Sequence, residues 1–139
     1  MTQQYALIKQ EDEWGCGAAC VASLLGISYR EAKNLVEEVK GSSVNAPPHG
    51  LELHHLALAL WKKRVKVVAD WNPKEIPHGT IVCISGDAPY DGDHYMLKTP
   101  FGWMDPWYNI GTLPRKANFR QSYPGGTEFL VALIPQGTG

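Results

Sequence analysis

The chain has 139 residues, 44% of them apolar and 19% charged, and a formal net charge of −1. That is enough to bury a core as one soluble domain. It lacks the basic run that nucleic-acid binding needs and apolar runs of membrane-spanning length, so neither partner is expected. The first residues, MTQQYALIKQEDEW, carry no basic stretch followed by an apolar one. A cytoplasmic, standalone domain is therefore expected.

The first nine residues hold a short β-capable piece around Tyr5 to Ile8. Gln10 opens a polar loop, and Trp14 and Gly15 end it. From Cys16 to about Leu25 the chain is rich in alanine and apolar residues, which predicts a buried helix ending at Gly26. A thiol at a helix N-terminus meets unpaired backbone N–H groups and the positive end of the helix dipole. Both favour thiolate over thiol, which is how a nucleophilic cysteine is made. Gly17 would leave room for a substrate backbone beside the sulfur. A lone cysteine at a helix start is more often ordinary packing, so the case depends on what the rest of the chain supplies. The three cysteines, Cys16, Cys20 and Cys83, are an odd number and suggest no disulfide framework. Cys20 and Cys83 read as core.

Ser28 and Glu31 form a capping-box pattern for a second helix, with Ala32, Leu35, Val36 and Val39 as its apolar face and Gly41 as its stop. Residues 41–50 are turn-formers. A third helix is expected over about 51–63. His49, His54 and His55 have poor spacing for one metal, and no metal or other cofactor is expected. After residue 64 the pattern turns to strands: Val65 to Ala69, Thr80 to Ser85, His94 to Thr99, Trp103 to Trp107 and Glu128 to Ile134. Residues 108–126 read as irregular, with Gly125-Gly126 as the turn before the last strand. Helices first and an antiparallel sheet second is the α+β pattern.

With the hairpin turn around Thr99 to Phe101, His94 and Asp105 fall opposite each other on one sheet face. Opposed Cβ atoms lie about 4.5–5.5 Å apart. A carboxylate there can fix the imidazole and its tautomer, leaving the other ring nitrogen for a thiolate across a cleft. Cysteine as nucleophile, histidine as base and aspartate as orienter form a catalytic triad in its thiol form. Pro106 stiffens the backbone that carries Asp105. The Cys16 backbone N–H and the Gln10 side-chain amide are candidate oxyanion donors. Trp14, Trp103, Trp107 and Tyr108 are candidates to line a substrate groove.

The order glutamine, cysteine six positions later, helix, histidine, aspartate resembles that of papain-like cysteine peptidases. The wording Q-x5-C-G-A-A-C followed by an apolar helix and LLGIS resembles the bacteriocin-processing peptidase family, whose members cut leader peptides after a double glycine. HYMLK, a turn and then DPW resemble that family's histidine strand and Asp-Pro. The likeness runs over about residues 5–107. It implies a papain-like fold, with an N-terminal helical half packed on a C-terminal antiparallel sheet, and a peptide or protein substrate. It also implies Cys16 as nucleophile, His94 as general base and acid, Asp105 as orienter and Gln10 as oxyanion donor. The sequence departs from the family at Gly15, where Asp or Glu is frequent, and at Trp107-Tyr108, where a glycine-containing continuation is usual. An amidase or acyltransferase with the same triad, and a peptide-binding module that does not cut, are the alternative functions.

Overall fold

The computed structural model describes residues 3–90 and 93–137. Three helices, α1 (Cys16–Leu25), α2 (Tyr29–Lys40) and α3 (Leu53–Lys62), come first. Six strands follow: β1 (Val67–Asp70), β2 (Ile81–Gly86), β3 (His94–Thr99), β4 (Gly102–Asp105), β5 (Asn118–Arg120) and β6 (Thr127–Pro135). They form one antiparallel sheet in the order β1-β6-β2-β3-β4-β5. The architecture is α+β, as its sequence pattern indicates. Among the described residues no helix is long and apolar enough to cross a membrane.

The helix ends follow from local chemistry. Gly26 closes α1 and Gly41 closes α2, both in the left-handed conformation that a Cβ would strain. Ser28 Oγ accepts from the Glu31 N–H at 3.1 Å, while the Glu31 carboxylate takes the Ser28 hydroxyl rather than its backbone N–H, so half of a capping box forms. On α3, Glu52 is the N-cap and its backbone N–H donates to His55 Nδ1 at 3.0 Å. His55 is therefore a capping residue.

The sheet buries both faces. Ile81, Cys83, Tyr95, Leu97, Met104, Val131 and Leu133 face the helices and share a core with α1, Val36, Leu56 and Leu60. Burying a side chain such as Leu56 or Leu60 contributes about 1.5–3 kcal/mol. Val82, Ile84, Met96, Trp103 and Ala132 form a second cluster on the other face, with Tyr90. Ala18, Ala19 and Ala22 are fully buried, and these small side chains let α1 pack closely on β3.

Three expectations are corrected. Residues 5–8 form no strand. The Tyr5 N–H donates to the Ser23 carbonyl at 2.8 Å and the Ser23 hydroxyl to the Ala6 carbonyl at 2.7 Å, so the segment is tied along α1. The irregular stretch 108–126 contains β5, three residues long, paired with β4. The β3–β4 hairpin pairs Thr99 with Gly102 and Leu97 with Met104, which sets Asp105 across from Met96 rather than from His94. His94 and Asp105 are diagonal neighbours, two places apart in register, and so keep the same face. Gly126, at φ +79°, turns the chain into β6, and its carbonyl accepts from the Asp87 N–H.

Candidate active site

Cys16 is the first residue of α1, and its N-cap, Gly15, supplies no side chain to the first-turn N–H groups. The side chain is half-buried and lies beside His94, near enough to bear on the charge of its ring. His94 is 2% exposed, and its Nε2–H donates to Asp105 Oδ1 at 2.7 Å. Nδ1 is left for Cys16. Asp105 is 0% exposed and accepts two further bonds: the Trp107 N–H at Oδ1 (3.1 Å) and Arg120 Nε at Oδ2 (2.6 Å). The Tyr90 ring covers His94, with ring centroids 5.6 Å apart and an interplanar angle of 59°.

These contacts set the charges. Burial disfavours imidazolium, but the hydrogen bond to Asp105, its charge and the neighbouring Cys16 outweigh it and push His94 up to about 10. Burial likewise disfavours carboxylate at Asp105, yet His94, Arg120 and the Trp107 N–H hold it below the ordinary carboxyl value. Burial pushes the Cys83 thiol up to about 12 and the Cys20 thiol well above its usual value. Both are buried core residues.

Cys16 stands between two hollows. One, of about 530 Å³, is lined by Trp14, His49, Leu51, Tyr95 and Val131. The other, of about 180 Å³, is lined by Gln10, Glu13, His94, Trp107 and Ile110. Trp14, Cys16 and Asp93 border both. An extended chain laid across the sulfur would occupy one hollow on each side. Trp14 is braced by a stacked His49 at 5.1 Å, and Trp107 by Arg115 over its ring at 4.7 Å.

Not every candidate lies in this cleft. Gly17 is buried, and a Cβ there would meet Leu51 and Leu56 at 3.0 Å. It provides room for core packing rather than for a substrate. Trp103 packs with Tyr123 and Lys98 on the sheet face away from the helices and borders neither hollow. Tyr108 is 41% exposed and lies under Arg120. Gln10 does border the smaller hollow, and its backbone N–H donates to the Pro106 carbonyl at 3.2 Å, joining the cysteine loop to the end of β4. Its amide donates to the Asp12 and Glu13 carbonyls at 2.9 and 3.0 Å. Gln10 Oε1 is buried without a partner among the described residues.

The cysteine loop is fixed from behind. Asp12 accepts from the Tyr29 hydroxyl (2.6 Å), Lys33 Nζ (3.1 Å) and Asn45 Nδ2 (3.1 Å). Partial burial opposes its charge, but these donors hold its carboxyl below the usual value. The Tyr29 hydroxyl fills the space that a side chain at position 15 would need. The departure at Gly15 is therefore matched by Tyr29. Gly15→Ala should overlap that hydroxyl and destabilise the fold by about 1–3 kcal/mol, the usual cost of overpacking. Thermal melts of Gly15→Ala, alone and with Tyr29→Phe, check this. Removing the hydroxyl should recover part of the loss, and equal melting of Gly15→Ala and wild type would refute the packing argument.

Sequence reasoning missed Arg120 and Tyr90. Arg120 lies in the short segment Asn118–Arg120, where its charge was the one local signal. No known family model matches the chain, and no curated protein matches it.

Proposed function

We propose that this protein is a cysteine peptidase with a papain-like arrangement, a helix carrying the nucleophile against a sheet carrying its base. The observation that supports this best is the buried His94–Asp105 pair, bonded at 2.7 Å, beside Cys16 where two hollows meet. In the reaction, the Cys16 thiolate attacks the peptide carbonyl. The His94 imidazolium then protonates the leaving amine, and a thioester remains on Cys16. Neutral His94 next takes a proton from water, the hydroxide adds to the thioester, and the intermediate collapses to the carboxylic acid and the Cys16 thiolate, so the thiolate–imidazolium pair is restored. Asp105 keeps the ring in one tautomer and stabilises its charged form.

The Cys16 backbone N–H, at an uncapped helix start, is one oxyanion donor. Gln10 becomes the second by exchanging a neutral carbonyl acceptor for the charged oxyanion, a stronger acceptor. The aromatic walls at Trp14 and Trp107 suit a peptide lying across the sulfur.

The test is capture of the acyl-enzyme. The protein is mixed with a peptide library and acid-quenched, and its cysteine peptides are read by mass spectrometry. A thioester on Cys16, absent from Cys16→Ala, is the expected result, with free acids as products in water. Adducts confined to Cys20 or Cys83 would sink the assignment. Transfer to added amines in preference to water would make it an acyltransferase, and binding without any adduct would make it a peptide-binding module.

A further inference from the structure

We propose that Arg120 is a positioning residue that keeps Asp105 ionised and turned toward His94 while His94 gives up its proton. The proposal rests on the peptidase reading above, and it concerns a group that touches no substrate.

His94, Asp105 and Arg120 lie on three successive strands, β3, β4 and β5. Arg120 pairs with Trp103, and Asp105 with Asn118. Arg120 is thus diagonal to Asp105 in the way that Asp105 is diagonal to His94, and all three side chains share one face. The guanidinium is held at three points. Nε donates to Asp105 Oδ2 at 2.6 Å, Nη2 donates to the Tyr108 carbonyl at 3.0 Å, and Cζ lies over the Tyr108 ring, 4.2 Å from its centre. Arg120 borders neither hollow beside Cys16.

The need for such a group comes from the catalytic cycle. While His94 is imidazolium, Asp105 has a counter-charge. Once the proton has passed to the leaving amine, His94 is neutral, and without Arg120 the fully buried Asp105 would keep only dipolar partners, the His94 ring and the Trp107 N–H. An isolated carboxylate in such surroundings takes up a proton. It then no longer offers a charged acceptor to the ring. Arginine stays charged through the whole pH range, so Asp105 and Arg120 cancel each other whichever form His94 takes.

The neighbouring groups do not replace it. His94 meets Cys16 from α1, Asp105 from β4 and the Tyr90 ring, and follows the exposed Asp93. Asp105 also lies in the field of Tyr90 and Cys20, both of which burial holds in their neutral forms.

The test reads the His94 ring directly. Nitrogen-15 histidine spectra are recorded against pH in a Cys16→Ala background, which removes the pull of the sulfur and moves the midpoint to lower pH. The His94 signal is assigned by its loss in His94→Gln. Adding Arg120→Met should raise the midpoint by about 1 unit or more, because a competing cation has gone. Arg120→Lys should return it toward the parent, and Asp105→Asn should lower it. Should Arg120→Met not fold, Arg120→Gln, which keeps a hydrogen bond without charge, gives the same reading. A midpoint unmoved or lowered by Arg120→Met overturns the proposal. With Cys16 present, Arg120→Met should lower kcat and leave KM unchanged, and a KM effect alone would also overturn it. The titration needs no substrate, so a protein that cleaves no peptide would refute the peptidase reading while leaving this measurement intact.

Discussion

Cys16→Ala and His94→Ala should each lower turnover by on the order of 10⁶-fold, and the double variant should be no slower than either single one. The reason is geometric. His94 is 2% exposed, with Nε2 committed to Asp105, so the ring has one nitrogen with which to act and Cys16 is what it faces. In the proposed mechanism, loss of His94 removes both the base that activates the sulfur and the acid that protonates the leaving amine. Without Cys16 the ring has nothing to activate but water. Each residue works only through the other, so their losses overlap instead of multiplying. Measurement of kcat for both single variants and the double variant, on a peptide identified by acyl-enzyme capture, decides the matter. A double variant slower by the product of the two single effects would show separate roles.

Asp105→Ala should produce the largest loss of stability at the site, about 3–5 kcal/mol, because it leaves the buried His94 and the half-buried Arg120 facing no carboxylate. The loss should depend on pH. His94 is raised in the fold, so its contribution is complete below its ordinary value of 6.5 and disappears as pH rises through about 10. Asp105 is lowered, so its contribution is present above its ordinary value of 3.8 and is lost as pH falls through its depressed value. The gap between wild type and Asp105→Ala should therefore be widest near pH 5–6 and narrower toward pH 10 and below pH 3. Urea unfolding at several pH values tests this, and a gap independent of pH would show that Asp105 does not govern the charge on His94. Turnover of Asp105→Asn should fall less than that of Cys16→Ala, because the orienting member of a triad contributes less than its nucleophile.

The parts of the site legible in the sequence were those written in local patterns. The alanine-rich run after Cys16, the Ser28 cap and the stops at Gly26 and Gly41 each show within one or two turns of chain. The hairpin carrying His94 and Asp105 was legible in strands and face but not in register. The two-residue link at Pro100 and Phe101 sets Thr99 against Gly102, two places from the expected pairing. Because the offset is two, Asp105 stays on the His94 face, whereas an offset of one would have turned it to the other side. β5 was hidden because three residues amid glycine, proline and asparagine show no alternation, and its pairing with β4 is a tertiary event. Arg120 was hidden with it. The role assigned to Gly17 failed for a related reason: a glycine beside a nucleophile looks the same in sequence whether it makes room for a substrate or for Leu51 and Leu56.

The burial of the other two cysteines bears on how the protein withstands peroxide. A sulfenic acid formed on Cys16 is normally rescued by a nearby thiolate that closes a disulfide. Cys20 lies one helical turn away but is sealed in the core with its proton held on, and Cys83 is pushed up to about 12. Near neutral pH neither is a thiolate able to attack. An oxidised Cys16 should therefore return to the thiol through a reductant from solution rather than through either of these two cysteines.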